Sequence, residues 1–174
     1  MNNAQQKVFF QQCLYTALMD LMKEKKFEKI SIGELCERAG VSRMTYYRSY
    51  NYKEDILLQH LDECFERYMQ GLDVQDFYSV ALSFFQFWQS KERDFLMAVV
   101  RSGLSAQLMD KFYAYLEEIF SRMQLDAEVA SYAKSFLAGG LYKMLIDWVK
   151  NDTRDSPEAM ALFLAAGSRA LTEM

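Results

Sequence analysis

The chain has 174 residues, 51% of them hydrophobic and 25% charged, with seven glycines, one proline and a formal charge of −4 from 20 Lys/Arg against 24 Asp/Glu. A chain of this length buries roughly 70% of its surface and folds without staples, and so few breakers exclude a loop-rich sandwich or barrel, a collagen repeat and a disordered linker. The acidic total argues, at first, against nucleic acid as a partner, because phosphate binding wants lysine and arginine.

Phe10, Leu14, Ala17, Leu18 and Leu21 recur at helical spacing and predict a first helix over residues 4–25. Ile30-Ser31-Ile32-Gly33-Glu34-Leu35 reads as a helix start: Ser31 caps, Glu34 closes the capping box, and Ile30 staples to Leu35. That helix ends at Ala39, Gly40 supplies the left-handed residue, Val41 plugs the turn, and Ser42 caps a further helix from Arg43 to about Tyr50. Two short helices around a tight glycine turn make a helix-turn-helix, whose second helix enters a major groove with its N-terminal residues foremost. Leu57, Leu61, Cys64, Phe65, Tyr68 and Leu72 form the next stripe, which ends near Gly71. Amphipathic segments over 74–89, 92–101 and 105–123 follow, then one from Asp126 to Lys150, and a last helix opened by Ser156-Pro157-Glu158. The expected fold is all-α, with nine helices.

Arg43, Met44, Thr45, Tyr46, Tyr47 and Arg48 are not a core-forming set. Thr45 and Tyr47 offer hydroxyls to phosphate oxygens, and Arg43 offers a planar fork suited to phosphate or to guanine. Lys53 begins the following helix, where its ammonium and free backbone N–H groups can share a phosphate. Tyr46 and Tyr50 read as packing aromatics.

The segment from Phe136 through Gly139, Gly140 and Tyr142 to Trp148 is apolar on nearly every side, and the last helix, with Phe163 and Ala166, is apolar over a wide arc. One reading is a central core helix of a monomer; the other is an interface between two copies of the chain. Residues 77–148 are crowded with aromatic and sulfur side chains, which serve as core or line an apolar pocket.

The three cysteines, Cys13, Cys36 and Cys64, are odd in number and widely spaced, so neither a disulfide framework nor a zinc knuckle is suggested. The first residues lack the apolar core of a signal peptide, and the longest uncharged stretch, Phe77–Ser90, is short of the roughly 18 to 20 residues that a membrane span needs. A cytoplasmic protein without membrane contact is expected. With His60 as the one histidine and no phosphate loop or paired catalytic carboxylates, neither catalysis, a metal nor a cofactor is expected.

Phe27 to Ile32, Leu35-Cys36-Glu37-Arg38-Ala39-Gly40-Val41-Ser42-Arg43, Thr45-Tyr46-Tyr47-Arg48 and Lys53-Glu54-Asp55-Ile56-Leu57 resemble the DNA-binding domain of TetR-type transcriptional regulators. The resemblance implies a helix-turn-helix domain over 1–53 and a helical effector-binding and dimerisation domain over 54–174. It implies that Tyr47 and Lys53 hold phosphates, that Arg43, Met44 and Thr45 face the groove, and that Arg48 and Ser49 reach DNA. Gly33 stands where some relatives carry a long polar side chain that touches DNA, and Tyr52 stands where a small polar cap is usual, leaving Asn51 as a substitute. Trp88, Phe112, Tyr113 and Tyr142 become candidate contacts for a small apolar or aromatic effector. Gly139, Gly140, Tyr142, Trp148, Phe163 and Ala166 become candidates for the interface of a homodimer. The implied function is a ligand-responsive regulator, a repressor in the usual case, on palindromic double-stranded DNA. A co-regulator acting through protein contacts is the alternative.

Charge supports the division. Met1 to Lys53 holds nine Lys/Arg against five Asp/Glu, a balance of +4, and the remaining 11 basic and 19 acidic residues give −8. The acidic total conceals a basic head on an acidic body.

Overall fold

The computed structural model describes residues 3–73, 76–90, 92–122 and 130–172, and every regular element among them is helical. In chain order these are α1 (Asn3–Glu24), a 3₁₀ turn (Phe27–Lys29), α2 (Ile32–Ala39), α3 (Arg43–Tyr47), α4 (Glu54–Gly71), α5 (Phe77–Ser90), α6 (Arg93–Arg101), α7 (Ser105–Arg122), α8 (Ala130–Lys150) and α9 (Pro157–Thr172). The all-α expectation holds, with nine α-helices among the described residues. The expected helix start at Asp126 lies outside the described residues. The chain divides into two compact units, Met1–Glu63 with Arg101–Leu104, and Cys64–Val100 with Ser105–Met174. The division falls inside α4, later than the boundary after residue 53 expected from the sequence.

The first unit is built on the α1 stripe. Leu14, Leu18 and Leu21 are buried together with Phe27, Ile30, Leu35, Tyr46, Ile56, Leu57 and Leu61. Ser31 Oγ accepts the Glu34 N–H at 3.2 Å and so caps α2, while the Glu34 carboxylate pairs with Lys25. Gly40 ends α2 at φ 66°, a left-handed conformation that side chains resist, and the Val41 N–H returns to the Cys36 carbonyl at 3.0 Å.

The helix expected to reach Tyr50 stops at Tyr47. There the Tyr46 carbonyl receives the N–H groups of both Ser49 and Tyr50, at 2.9 and 3.0 Å, and a carbonyl shared in this way is typical of a helix end. Tyr50 is buried beyond it, with its hydroxyl donating to Gln59 Oε1 at 2.9 Å.

In the second unit α5 packs along α9, and α7 and α9 both lie against α8. Its core is a run of rings. Phe65 stacks on Tyr115 with centroids 3.9 Å apart, and meets Trp88 and Phe112 edge-on at 5.7 and 5.8 Å. Phe85 meets Trp148 in the same way at 5.3 Å. Edge-to-face pairs of this kind add to what apolar burial alone supplies. Between α8 and α9 the chain turns through Asp152 and Thr153, at φ 56° and 53°. Arg93 holds that turn, with Nε donating to Thr153 Oγ1 at 3.0 Å and Nη2 to the Asp152 carbonyl at 3.2 Å. Ser156 then caps α9 by accepting the Ala159 N–H at 3.2 Å, with Pro157 as the first helical residue.

Candidate nucleic-acid interface

The short helix α3 owes its start to Ser42, whose Oγ accepts the Thr45 N–H at 3.1 Å and lies 2.9 Å from the Thr45 hydroxyl. One face of α3 is anchored. Tyr46 is fully buried, and its ring packs against Tyr47 and Tyr50. The other face is open, with Met44 68% and Tyr47 57% exposed and Arg43 and Arg48 also at the surface. Tyr47 packs edge-on against Tyr46 at 5.1 Å, which fixes its ring while leaving its rim accessible. Arg48 Nη2 lies 3.8 Å from Met44 Sδ, one turn back along the same face. Ser49 is half-buried past the end of the helix.

Three basic residues of this unit are paired with carboxylates. Arg38 donates through both terminal nitrogens to the Glu24 carboxylate at 2.9 and 3.0 Å, Lys25 pairs with Glu34, and Lys23 pairs with Asp20. These pairs hold the carboxyls of Glu24 and Glu34 below their ordinary value, chiefly through the side-chain hydrogen bonds from Arg38 and Lys25. Arg43 and Arg48, by contrast, have no carboxylate partner among the described residues. The cations left uncommitted on this helix are those that point outward, as electrostatic attraction for a polyanion requires.

Lys53 behaves differently from the sequence expectation. Its ammonium donates to the carbonyls of Phe27 and Ile30 at 2.7 and 2.9 Å and lies 4.5 Å from the centre of the Phe27 ring. Two of three donors are thus spent inside the unit, and at most one remains for an outside acceptor. The start of α4 also differs. The Asp55 carboxylate reaches back to accept the N–H groups of Asn51 and Tyr52 at 3.0 and 2.8 Å. Asp55 thus ties the two residues that precede α4 back to its first turn, where an acid also suits the helix N-terminus.

Sequence reasoning also missed Gln59, whose Oε1 accepts from Gln11 Nε2 and the Tyr50 hydroxyl, each at 2.9 Å, tying α4 to α1 and to the segment that follows α3. Single polar residues of this kind carry no periodic signal. His60 stacks on Tyr15 with centroids 3.9 Å apart. Burial raises the thiols of Cys36 and Cys64, which disfavours the reactive thiolate.

In the helical body, a cavity of about 20 Å³ is lined by Tyr68, Phe84, Leu116, Leu141 and Leu164 among others, and has room for about one water. Trp88, Phe112, Tyr113 and Tyr142 are not among its lining residues. Trp88 and Phe112 are packed in the ring cluster, Tyr142 is edge-on to Phe112 at 5.6 Å, and the Tyr113 hydroxyl lies 3.3 Å from where a Cβ on Gly139 would stand. Of the six residues expected between copies of the chain, Trp148 is only 2% exposed and donates from Nε1 to the Asp155 carbonyl at 2.8 Å, and Tyr142 is buried. Both belong to the chain's own core. The close approach at Gly139 is made by Tyr113 of the same chain, whereas Gly140 faces open space. Phe163, 71% exposed, and Ala166 are at the surface, and with them Phe136 at 65% and Leu162 at 64% from the same two apolar helices. No helix among the described residues is long and apolar enough to cross a membrane.

Residues 75–166, more than half of the chain, match a TetR-type family model described as "Transcriptional regulator C-terminal region". The chain belongs to the TetR-type transcriptional regulators. It is 40% identical over 53 residues to the HTH-type transcriptional regulator EthR of Mycolicibacterium smegmatis, an alignment covering 30% of this chain and about a quarter (24%) of that relative. Its fold is similar to the crystal structure of Lin0861 from Listeria innocua, at TM-score 0.79 and 17% identity over 98% of this chain and 94% of that one. It is also similar in fold to the dihydroxyacetone kinase operon activator DhaS, at TM-score 0.66 and 14% identity over 94% of this chain and 96% of that one.

Proposed function

We propose that this transcriptional regulator binds a palindromic operator as a homodimer, reading DNA with α3, and that a small apolar or aromatic effector releases it. The observation that carries the reading is the outward face of α3, where Arg43, Met44, Tyr47 and Arg48 are exposed and neither arginine has a carboxylate partner among the described residues. Dimerisation is supported by the large exposed apolar side chains Phe136 on α8 and Leu162 and Phe163 on α9. Effector binding is supported by the ring-rich body. Besides the cavity of about 20 Å³, a recess of about 410 Å³ is lined by Phe65, Met69 and Tyr115, and an effector acts on DNA affinity only as far as it prefers one arrangement of the dimer. Repression is the outcome that the family resemblance implies.

The full chain, incubated with random-sequence duplex DNA, is expected to enrich a palindrome, with affinity falling steeply as salt rises. Enrichment of no sequence, with a dimer retained, would favour the second reading, a co-regulator working through protein contacts. The commitment of Lys53 to the carbonyls of Phe27 and Ile30 is the observation on that side.

A further inference from the structure

Gly33 is the second residue of α2 and has helical backbone, so nothing in its own conformation calls for glycine. A Cβ placed there would stand 2.5 Å from Nη2 of Arg43 and 3.4 Å from its Cζ. The guanidinium of the first residue of α3 therefore rests against the first turn of α2, in the space that a side chain would fill. Cys36, one turn further along the same face of α2, is reached by the same charge: burial raises its thiol, and Arg43 opposes that rise. The two helices of the helix-turn-helix thus share one guanidinium, and no carboxylate among the described residues draws it elsewhere. An arginine seated in a notch presents its rigid fork in fewer orientations than one free in solvent, and loses less entropy when it pairs.

We propose that Gly33 is a positioning residue for base reading: its missing side chain leaves the notch that seats Arg43, so that the fork meets a guanine edge from the α2 side of the reading helix. Guanine is the fitting target because its O6 and N7 accept the two parallel hydrogen bonds that a guanidinium donates. This inference rests on the DNA-binding reading above.

The test compares the full chain with its Gly33→Ala, Arg43→Ala and doubly substituted variants, using an operator selected from random duplex DNA by the unsubstituted protein. Alanine favours the helical backbone and meets only the far end of a flexible side chain, so Gly33→Ala is expected to melt at or above the parent temperature. Its operator affinity is expected to fall about tenfold, the scale of one good arginine–guanine pair. Affinity for unrelated duplex stays within about twofold, since phosphate contacts carry that binding. In the Arg43→Ala background the Gly33 substitution has no further effect. Unchanged operator affinity in Gly33→Ala, a loss shared equally by unrelated duplex, or losses that multiply in the double variant would each overturn the proposal and leave the DNA-binding reading standing. Failure to select any operator with the unsubstituted protein would overturn both.

Discussion

The Lys53 ammonium lies 2.9 Å from the carbonyl oxygen of Ile30, a residue 23 positions earlier, and so ties the start of α4 to the turn that precedes α2. Lys53→Met keeps the alkyl stem and removes the donors. Urea denaturation is expected to show the head destabilised by about 1 to 3 kcal/mol, the cost of stranding carbonyls that a charged group had satisfied. An unchanged midpoint with weakened DNA binding would return Lys53 to the role of a phosphate anchor alone.

Tyr47→Phe preserves the edge-on contact with Tyr46 and deletes one hydroxyl. Stability should stay within about 0.5 kcal/mol, as for most surface changes. Operator affinity in a fluorescence titration should drop about tenfold, the scale of one hydrogen bond to a charged oxygen. Equal binding by the two proteins would remove the hydroxyl from the interface.

Acid should loosen the head through Glu24 and Glu34. Both carboxyls are held below the ordinary value of 4.5, so their contribution is complete above that value and is lost as pH falls through the lowered one. Glu24→Gln is expected to show a smaller drop in urea midpoint between neutral and acid solution than the parent. A parallel pair of pH curves would mean that the Arg38 pair adds nothing, as is often found for exposed ion pairs.

Phe163 and Trp148 should separate assembly from folding. Phe163→Glu changes a surface side chain and is expected to yield folded monomers by sedimentation. Trp148→Ala empties a core site, and should cost about 3 to 5 kcal/mol in denaturation at any protein concentration. Dimers surviving in Phe163→Glu would move the interface away from that part of α9.

The turn after α8 offers a stabilising change. Asp152 is exposed at φ 56°, where glycine sits without steric cost, so Asp152→Gly should gain about 0.5 to 1 kcal/mol. Arg93→Ala should act in the opposite sense by freeing Thr153 Oγ1 and the Asp152 carbonyl. A lowered melting temperature in Asp152→Gly would show that the aspartate side chain does more than tolerate its backbone.

The helix starts were legible because capping is local: Ser31 with Glu34, Gly40, Ser42 and Ser156 with Pro157 each act within four residues of the chain. So was the inward face of α3, since Tyr46 and Tyr50 fall where the stripe must point. Trp148 and Tyr142 were harder to place, because an apolar residue reads the same whether its cover comes from its own chain or another. Their ring partners Phe85 and Phe112 lie far away in sequence. Lys53 was ambiguous for a related reason: an ammonium suits a carbonyl as well as a phosphate, and only the path of the chain brings Phe27 and Ile30 beneath it. Gln59 acts through hydrogen bonds to Gln11 and Tyr50 that no periodicity announces.

The pairing of cations in the head also sets how binding should respond to its ionic surroundings. Each phosphate neutralised by a protein cation frees condensed counterions, and the logarithmic slope of affinity against salt counts those events. With Lys23, Lys25 and Arg38 already neutralised by carboxylates and Lys53 turned to carbonyls, four of the nine basic residues in the first 53 have little left to contribute. The slope per chain should therefore be shallower than a census of lysines and arginines suggests, carried by Arg43 and Arg48 together with whichever of Lys7, Lys26 and Lys29 reach a phosphate.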